Sequence, residues 1–85
     1  MKFYGTMICL DCLKAREMLP AAGVEFEYVD ITVSTKNMKE FLALRDTRAE
    51  FAQVRAEGRI GIPCFLKEDG SIILDAKALL EGESL

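Results

Sequence analysis

The chain has 85 residues, room for one small domain, expected to be 1–85. Hydrophobic residues make up 51%, so a core can form, and a net charge of −3 argues against a surface for nucleic acid or anionic membrane, which needs a basic patch. No apolar run approaches the roughly 20 residues that span a bilayer. The start, MKFYGTMICLDC, lacks the apolar region and cleavage site of a signal peptide. The expected location is therefore cytoplasmic, where standing disulfides are rare. Three cysteines are also an odd number for a disulfide scaffold.

KFYG, residues 2–5, is short, partly aromatic and stopped by Gly5; it reads as a first strand. From Leu10 the pattern changes. Ala15, Met18, Leu19 and Ala22 fall at i, i+3, i+4 and i+7, one face of a helix. Pro20 ends or kinks that helix, and Gly23 suits a left-handed stop. VEFEYVDI, residues 24–31, alternates apolar and polar as a half-buried strand does. Asn37 with Glu40 resembles a capping box and opens a helix with Met38, Phe41 and Leu42 on one face. Thr47 with Glu50 repeats the signature, so a break near Asp46 and a second helix are expected, with Phe51 and Val54 inward and Gly58 closing it. IPCFLK (62–67) and SIIL (71–74) read as two strands around the hairpin signal Glu-Asp-Gly. Asp75 can cap a last short helix through Leu79 and Leu80. The fold class is α/β. A βαβ unit, with parallel strands, is followed by a β-hairpin and a C-terminal helix, giving a mixed four-stranded sheet flanked by helices.

Cys9 and Cys12 frame Leu10 and Asp11 where the first strand gives way to the helix. Free backbone N–H groups and the positive end of the helix dipole gather there, and both favour a thiolate at Cys9. Cys12 falls one turn later, alongside Cys9, and should be the more buried thiol. That asymmetry suits thiol–disulfide exchange: Cys9 attacks, and Cys12 resolves the mixed disulfide. Asp11 works against a nearby thiolate, while Lys14 and Arg16 offset it. Two alternatives remain for the pair. One is two packed core cysteines. The other is half of a metal site, which for zinc would need ligands from a second chain, because the sequence has no His.

GIPCF, residues 61–65, is the second motif. Pro63 opens a strand, one of the few places where a sheet tolerates proline. The Ile62–Pro63 bond is either an ordinary trans bond or a cis bond holding a tight turn. Cys64, the third thiol, points by alternation away from the side Pro63 faces. It reads as a small buried residue, or else as an additional redox thiol. Met7 and Ile8 flank Cys9 with an apolar approach surface.

CLDC after the first strand, GVEFEYVD as the second strand and GIPCF together make the chain similar to the glutaredoxins, in particular to the bacterial glutaredoxin-like proteins. The run DITVSTKNMKEFLALRDTRAEF strengthens the likeness, which covers nearly the whole chain in length and element order. The resemblance implies a thioredoxin fold and a cytoplasmic thiol–disulfide oxidoreductase active on protein disulfides or glutathione mixed disulfides. Cys9 would be the nucleophile and Cys12 the resolving thiol. Ile62 and Pro63 would belong to the substrate-binding surface, with Pro63 cis and packed against the dithiol; the residues themselves add Met7, as an apolar flank of Cys9, and Arg59, as a source of positive charge. The Ile62 backbone would pair with the backbone of the substrate. No bound cofactor or metal is implied, and a monomer is expected. Glutathione would serve as cosubstrate, or a thioredoxin reductase as the electron source. Departures from the family pattern favour the second source. Thr6 stands where a lysine is usual, and Leu74 and Asp75 stand near a usual Gly-Gly, with Ala78 at the later Asp. Arg45, Arg48 and Arg59 are the candidates to restore positive charge. Two other functions are carried alongside: an Fe–S cluster carrier, and a non-catalytic peptide-binding module that docks through the Pro63 loop.

Overall fold

A computed structural model describes residues 1–83. Its elements follow the expected order. Strand β1 spans Lys2–Gly5, helix α1 Leu10–Ala21 and strand β2 Glu27–Asp30. Helix α2 spans Thr35–Thr47, and a 3₁₀ turn over Ala49–Phe51 leads into helix α3, Ala52–Glu57. Strands β3 (Cys64–Leu66) and β4 (Ile72–Ile73) form the hairpin, and helix α4 covers Ala76–Glu83. The four strands make one mixed sheet in the order β2-β1-β3-β4. β1 and β2 are parallel, while β1–β3 and β3–β4 are antiparallel.

Alternation along the strands sends side chains to two faces, and each face has its own core. Phe3 and Phe65 face α1 and α4, packing with Cys12, Ala15, Leu19, Ala76 and Leu79. The Phe3 ring lies 5.3, 5.1 and 4.8 Å from the rings of Phe26, Tyr28 and Phe65. Such aromatic pairs contribute about 0.5–1.5 kcal/mol each beyond their burial. Tyr4, Val29, Cys64 and Ile72 point the other way, against Phe41 of α2, Phe51 of the 3₁₀ turn and Val54 of α3. A sheet with helices on both faces results. Among the described residues no helix is long and apolar enough to cross a membrane.

Several element ends differ from the sequence reading. β2 begins at Glu27, not Val24, because β1 offers no partner further back: Val24 N–H is taken by Leu19 O at 2.9 Å, and Glu27 N–H reaches Met1 O at 2.9 Å. The cap of α2 is Ser34, whose Oγ accepts Asn37 N–H across 3.1 Å. Asn37 instead donates its side chain to Asp30 O, and Glu40 pairs with Lys2 across 2.6 Å, so neither is free to form the expected box. Thr47 is not a cap either. Its hydroxyl bonds back to Ala43 O at 2.5 Å, and the helix breaks at Arg48, which is extended at φ −87°, ψ 138°. The strands at 62–67 and 71–74 contract to Cys64–Leu66 and Ile72–Ile73. α1 runs through Pro20 to Ala21, with Pro20 in its final turn. Gly23 and Gly58 take the left-handed conformation as expected, and Asp75 Oδ1 caps α4 by accepting Lys77 N–H at 3.1 Å.

Candidate functional site

Register places the two motifs beside each other. The last β1–β3 pair is Tyr4 with Cys64. One step outward from that pair stand Gly5 and Pro63, and then Thr6 and Ile62. The parallel β1–β2 pairing brings the ends of both strands to the same edge, with Ile31 N–H bonded to Gly5 O at 2.9 Å. The chain after β1, the chain after β2 and the segment before β3 therefore meet at one end of the sheet. The Ile62–Pro63 bond is cis, the second of the two geometries considered for it.

Cys9 is the N-cap of α1, a position usually held by an oxygen-bearing side chain. Its Sγ accepts Cys12 N–H across 3.3 Å, and its own N–H bonds Thr6 O at 3.2 Å. Cys9 is half-buried, whereas Cys12 is fully buried. The Cys12 thiol is pushed up to about 12. Burial is the largest cause; its hydrogen bond to Cys9 adds to the rise, and a backbone hydrogen bond from Thr6 opposes it. Gly5 makes this packing possible. A Cβ there would stand 2.9 Å from Cys12 Sγ and 2.9 Å from Phe3 Cε1. A protonated, enclosed thiol thus lies behind a sulfur at the surface.

The Cys9 side of the sheet end opens into a groove of about 910 Å³. Thr6, Ile8 and Asp11 flank Cys9 there, and Thr32 follows β2. Met38, Leu42 and Arg45 of α2 form the opposite wall, and residues 58–62 close it. The rim is apolar and exposed: Ile8 is 86% exposed and Ile60 60%. Asp11 is the one carboxylate lining the groove among the described residues, and Arg45 and Arg59 are the cations.

The residues singled out from sequence divide as follows. Cys9, Ile62 and Arg59 line this groove. Pro63 lines a smaller adjoining hollow of about 400 Å³, together with Asp11, Lys14, Leu74 and Asp75. Ile62 touches both cores and both cavities, so it forms the ridge between them. Met7 lies outside the groove lining, half-exposed against the Arg16 guanidinium, which also stacks 4.5 Å above the Tyr28 ring. Arg59 pairs with Glu57 at 2.6 Å and its carbonyl accepts from Arg45 Nη2 at 2.6 Å. Arg48 does not reach this groove; it bonds Glu50 and Gly70 O at 2.9 Å each. Cys64 is buried in the other core layer, as the bland reading held, and burial pushes its thiol up to about 12. The three cysteines, all free thiols, therefore do not converge.

Thr32 and Ile60 were not singled out from sequence, and Met38 and Leu42 were read only as the apolar face of a helix, not as groove residues. A signal existed for Thr32: parallel strands end together, so the residue leaving the second strand must approach the residue leaving the first.

Fold and site together define a small α/β protein that carries a Cys-x-x-Cys dithiol at the start of its first helix, beside a cis-proline segment. No family model matches the sequence. A protein of Haemophilus influenzae described as an uncharacterized protein is 38% identical over 71 residues, which cover 84% of this chain and 83% of that protein. The chain belongs to the family of that protein.

Proposed function

We propose that this chain is a dithiol thiol–disulfide oxidoreductase of the thioredoxin fold, similar in mechanism to the glutaredoxins. The observation that carries the reading is the placement of the two cysteines. Cys9 caps the helix at the mouth of a groove, and Cys12 sits behind it, buried, its thiol pushed up to about 12 and its backbone N–H donating to Cys9 Sγ. In the first step the Cys9 sulfur, as thiolate, attacks one sulfur of a substrate disulfide. A Cys9–substrate S–S bond forms, the substrate S–S bond breaks, and the departing thiolate takes up a proton. Cys12 then gives its proton to solvent and attacks Cys9 Sγ. The Cys9–Cys12 disulfide forms and the second substrate thiol leaves reduced. Two electrons and two protons have passed to the substrate, and glutathione or a reductase returns them. Attack by Cys12 requires no helix rearrangement, since the two residues share one turn. The apolar rim suits a protein disulfide, whose neighbouring side chains can cover Ile8 and Ile60.

Redox equilibration tests this. The protein is held across ratios of glutathione to glutathione disulfide, quenched by alkylation and weighed by mass spectrometry. A two-proton mass loss mapping to Cys9–Cys12 is expected, with a midpoint that gives the potential. If Cys9 stays alkylatable at every ratio, the oxidoreductase is wrong and a peptide-binding role takes its place.

A further inference from the structure

Thr6 is the one polar residue buried among the described residues, at 4% exposure. Its hydroxyl is turned to Thr32, with 3.0 Å between the two oxygens. Thr32 has one hydroxyl hydrogen, and it goes to Asp30 Oδ1 across 2.7 Å. The same carboxylate oxygen accepts Thr32 N–H at 2.8 Å. Since Thr32 has no hydrogen left to give, Thr6 donates to Thr32, and the relay runs Thr6 to Thr32 to Asp30. Asp30 is held in turn, because its carbonyl accepts from Asn37 Nδ2 of α2 at 3.0 Å. The chain leaving β1 is thus anchored to the end of β2 and, through it, to α2.

The main chain of Thr6 serves both cysteines. Its carbonyl accepts Cys9 N–H at 3.2 Å. A hydrogen bond from its backbone favours the Cys12 thiolate, against the rise that burial imposes. The chain passes close to that sulfur: a Cβ on the preceding Gly5 would stand 2.9 Å from Cys12 Sγ. The two sulfurs therefore draw on different donors. Cys9 Sγ accepts Cys12 N–H, a bond made at the start of α1 that needs nothing from β1. Cys12 Sγ depends on the backbone of the segment that prolongs β1. Cys12 is fully buried, and a thiolate shielded from water gains more from a fixed donor than an exposed one does.

We propose that Thr6 is a positioning residue for the second step of the exchange: the Thr6–Thr32–Asp30 relay holds the Thr6 backbone on Cys12 while Cys12 gives up its proton and attacks Cys9, and it has far less hold on the first step. The inference rests on the dithiol reading above and adds the residue that makes the buried thiol usable.

The test times the two steps separately in the full chain. A short blocked peptide with a single cysteine is supplied as its mixed disulfide with 2-thiopyridine. Cys9 attacks the peptide sulfur, the peptide–pyridine S–S bond breaks, and its electron pair leaves on the pyridine sulfur, which takes a proton and absorbs as thiopyridone. Cys12 then loses its proton to solvent and attacks Cys9 Sγ. The Cys9–Cys12 bond forms, the Cys9–peptide bond breaks, and the peptide leaves as a thiolate that takes up a proton. Acid quenching and mass spectrometry follow the decay of the protein–peptide species. Raising the peptide concentration speeds only the first step, since the second occurs within one molecule, and so separates the two. The readout is the ratio of the second rate to the first. Thr6→Val, nearly the same shape without the hydroxyl, should lower that ratio about tenfold, roughly what one hydrogen bond to a charged group contributes. Thr6→Ser should restore it. Thr32→Val cuts the same bond from the other side, should lower the ratio as well, and decides the matter if Thr6→Val does not fold. An unchanged ratio in the valine variants, equal slowing of both steps, or no restoration in Thr6→Ser overturns the inference and leaves the oxidoreductase standing. No thiopyridone from the unsubstituted chain removes both.

Discussion

Cys12 and Cys64 are the same group in closely similar surroundings. Both are fully buried, and both thiols are pushed up to about 12 with burial as the leading cause. They lie on opposite faces of one sheet, Cys12 in the layer with α1 and α4, Cys64 in the layer with α2 and α3. The second contributor differs. For Cys12 it is the hydrogen bond to Cys9; for Cys64 it is the charge of Glu50. Burial alone keeps a thiol protonated and inert. Under the proposed function, a sulfur one helical turn away, open to a groove, would give one of these two thiols a reaction to perform.

The sharpest way to break this comparison is to remove the sulfurs singly. Cys9→Ser should lose about three orders of magnitude or more in disulfide reduction, since the attacking atom is gone. Cys12→Ser should keep the first attack and accumulate a mixed disulfide visible by mass spectrometry. Cys64→Ala should stay within about twofold in turnover and lose on the order of 1 kcal/mol of stability in urea. A Cys64 variant as inactive as Cys9→Ser would end the distinction between the two faces.

Two glycines extend the comparison from sulfur to packing. Gly5→Ala would put a methyl 2.9 Å from Cys12 Sγ. Gly61→Ala would put one 2.9 Å from Phe51 Cε1, at a φ of +98° that alanine adopts poorly. Overpacking of this kind costs about 1–3 kcal/mol, so both variants should unfold at lower urea. Only Gly5→Ala should also slow the release of reduced substrate, because it displaces Cys12, the resolving thiol of the proposed function. Equal release rates in the two variants would show that Cys12 tolerates the shift.

Alkaline pH should treat both thiols alike. The ordinary thiol value is 9.0, and both folded values are about 12. Between these limits the unfolded chain has released protons that the folded chain still holds, so stability is complete below about 9 and falls as pH rises towards about 12. Urea midpoints across that window should decline less steeply in Cys64→Ala, and equally less in Cys12→Ala. Tyr4, also raised by its burial, keeps part of the slope in both variants.

Much of this was legible in the sequence, for reasons that differ by residue. The dithiol, the Gly23 and Gly58 stops and the Asp75 cap depend on near neighbours in the chain, and each is found where spacing puts it. The α2 cap was misread because Asn37 and Glu40 are drawn away by partners on β2 and β1, which no local pattern shows. Gly5 read only as a strand stop. Its second role, admitting Cys12, depends on a contact across the sheet edge. The Thr6–Thr32–Asp30 relay joins segments 26 residues apart and exists only once β1 and β2 are parallel and in register.

The smallest expected effect concerns the groove wall. Lys2 on β1 and Glu40 on α2 pair at 2.6 Å, with side chains 41% and 38% exposed. The hydrogen bond between them holds the Glu40 carboxyl below its ordinary range and the Lys2 ammonium above its own. A lowered carboxyl adds stability that is present at neutral pH and lost as pH falls through its folded value. Water competes for both groups, however, and half-exposed pairs of this kind contribute little. A double-mutant cycle of Lys2→Met and Glu40→Gln should thus give a coupling smaller than any shift above, shrinking further at about 1 M salt. The pair still joins the strand that leads to Cys9 with the helix that carries Met38, Leu42 and Arg45. If breaking it left the urea midpoint in place but lowered the rate with a bulky protein disulfide, α2 would be set in position by this contact as well as by Phe41. A coupling as large as the Gly61→Ala loss would instead make the pair a principal support of the α2 face, and the two faces would then differ in how they are held as well as in the chemistry of their thiols.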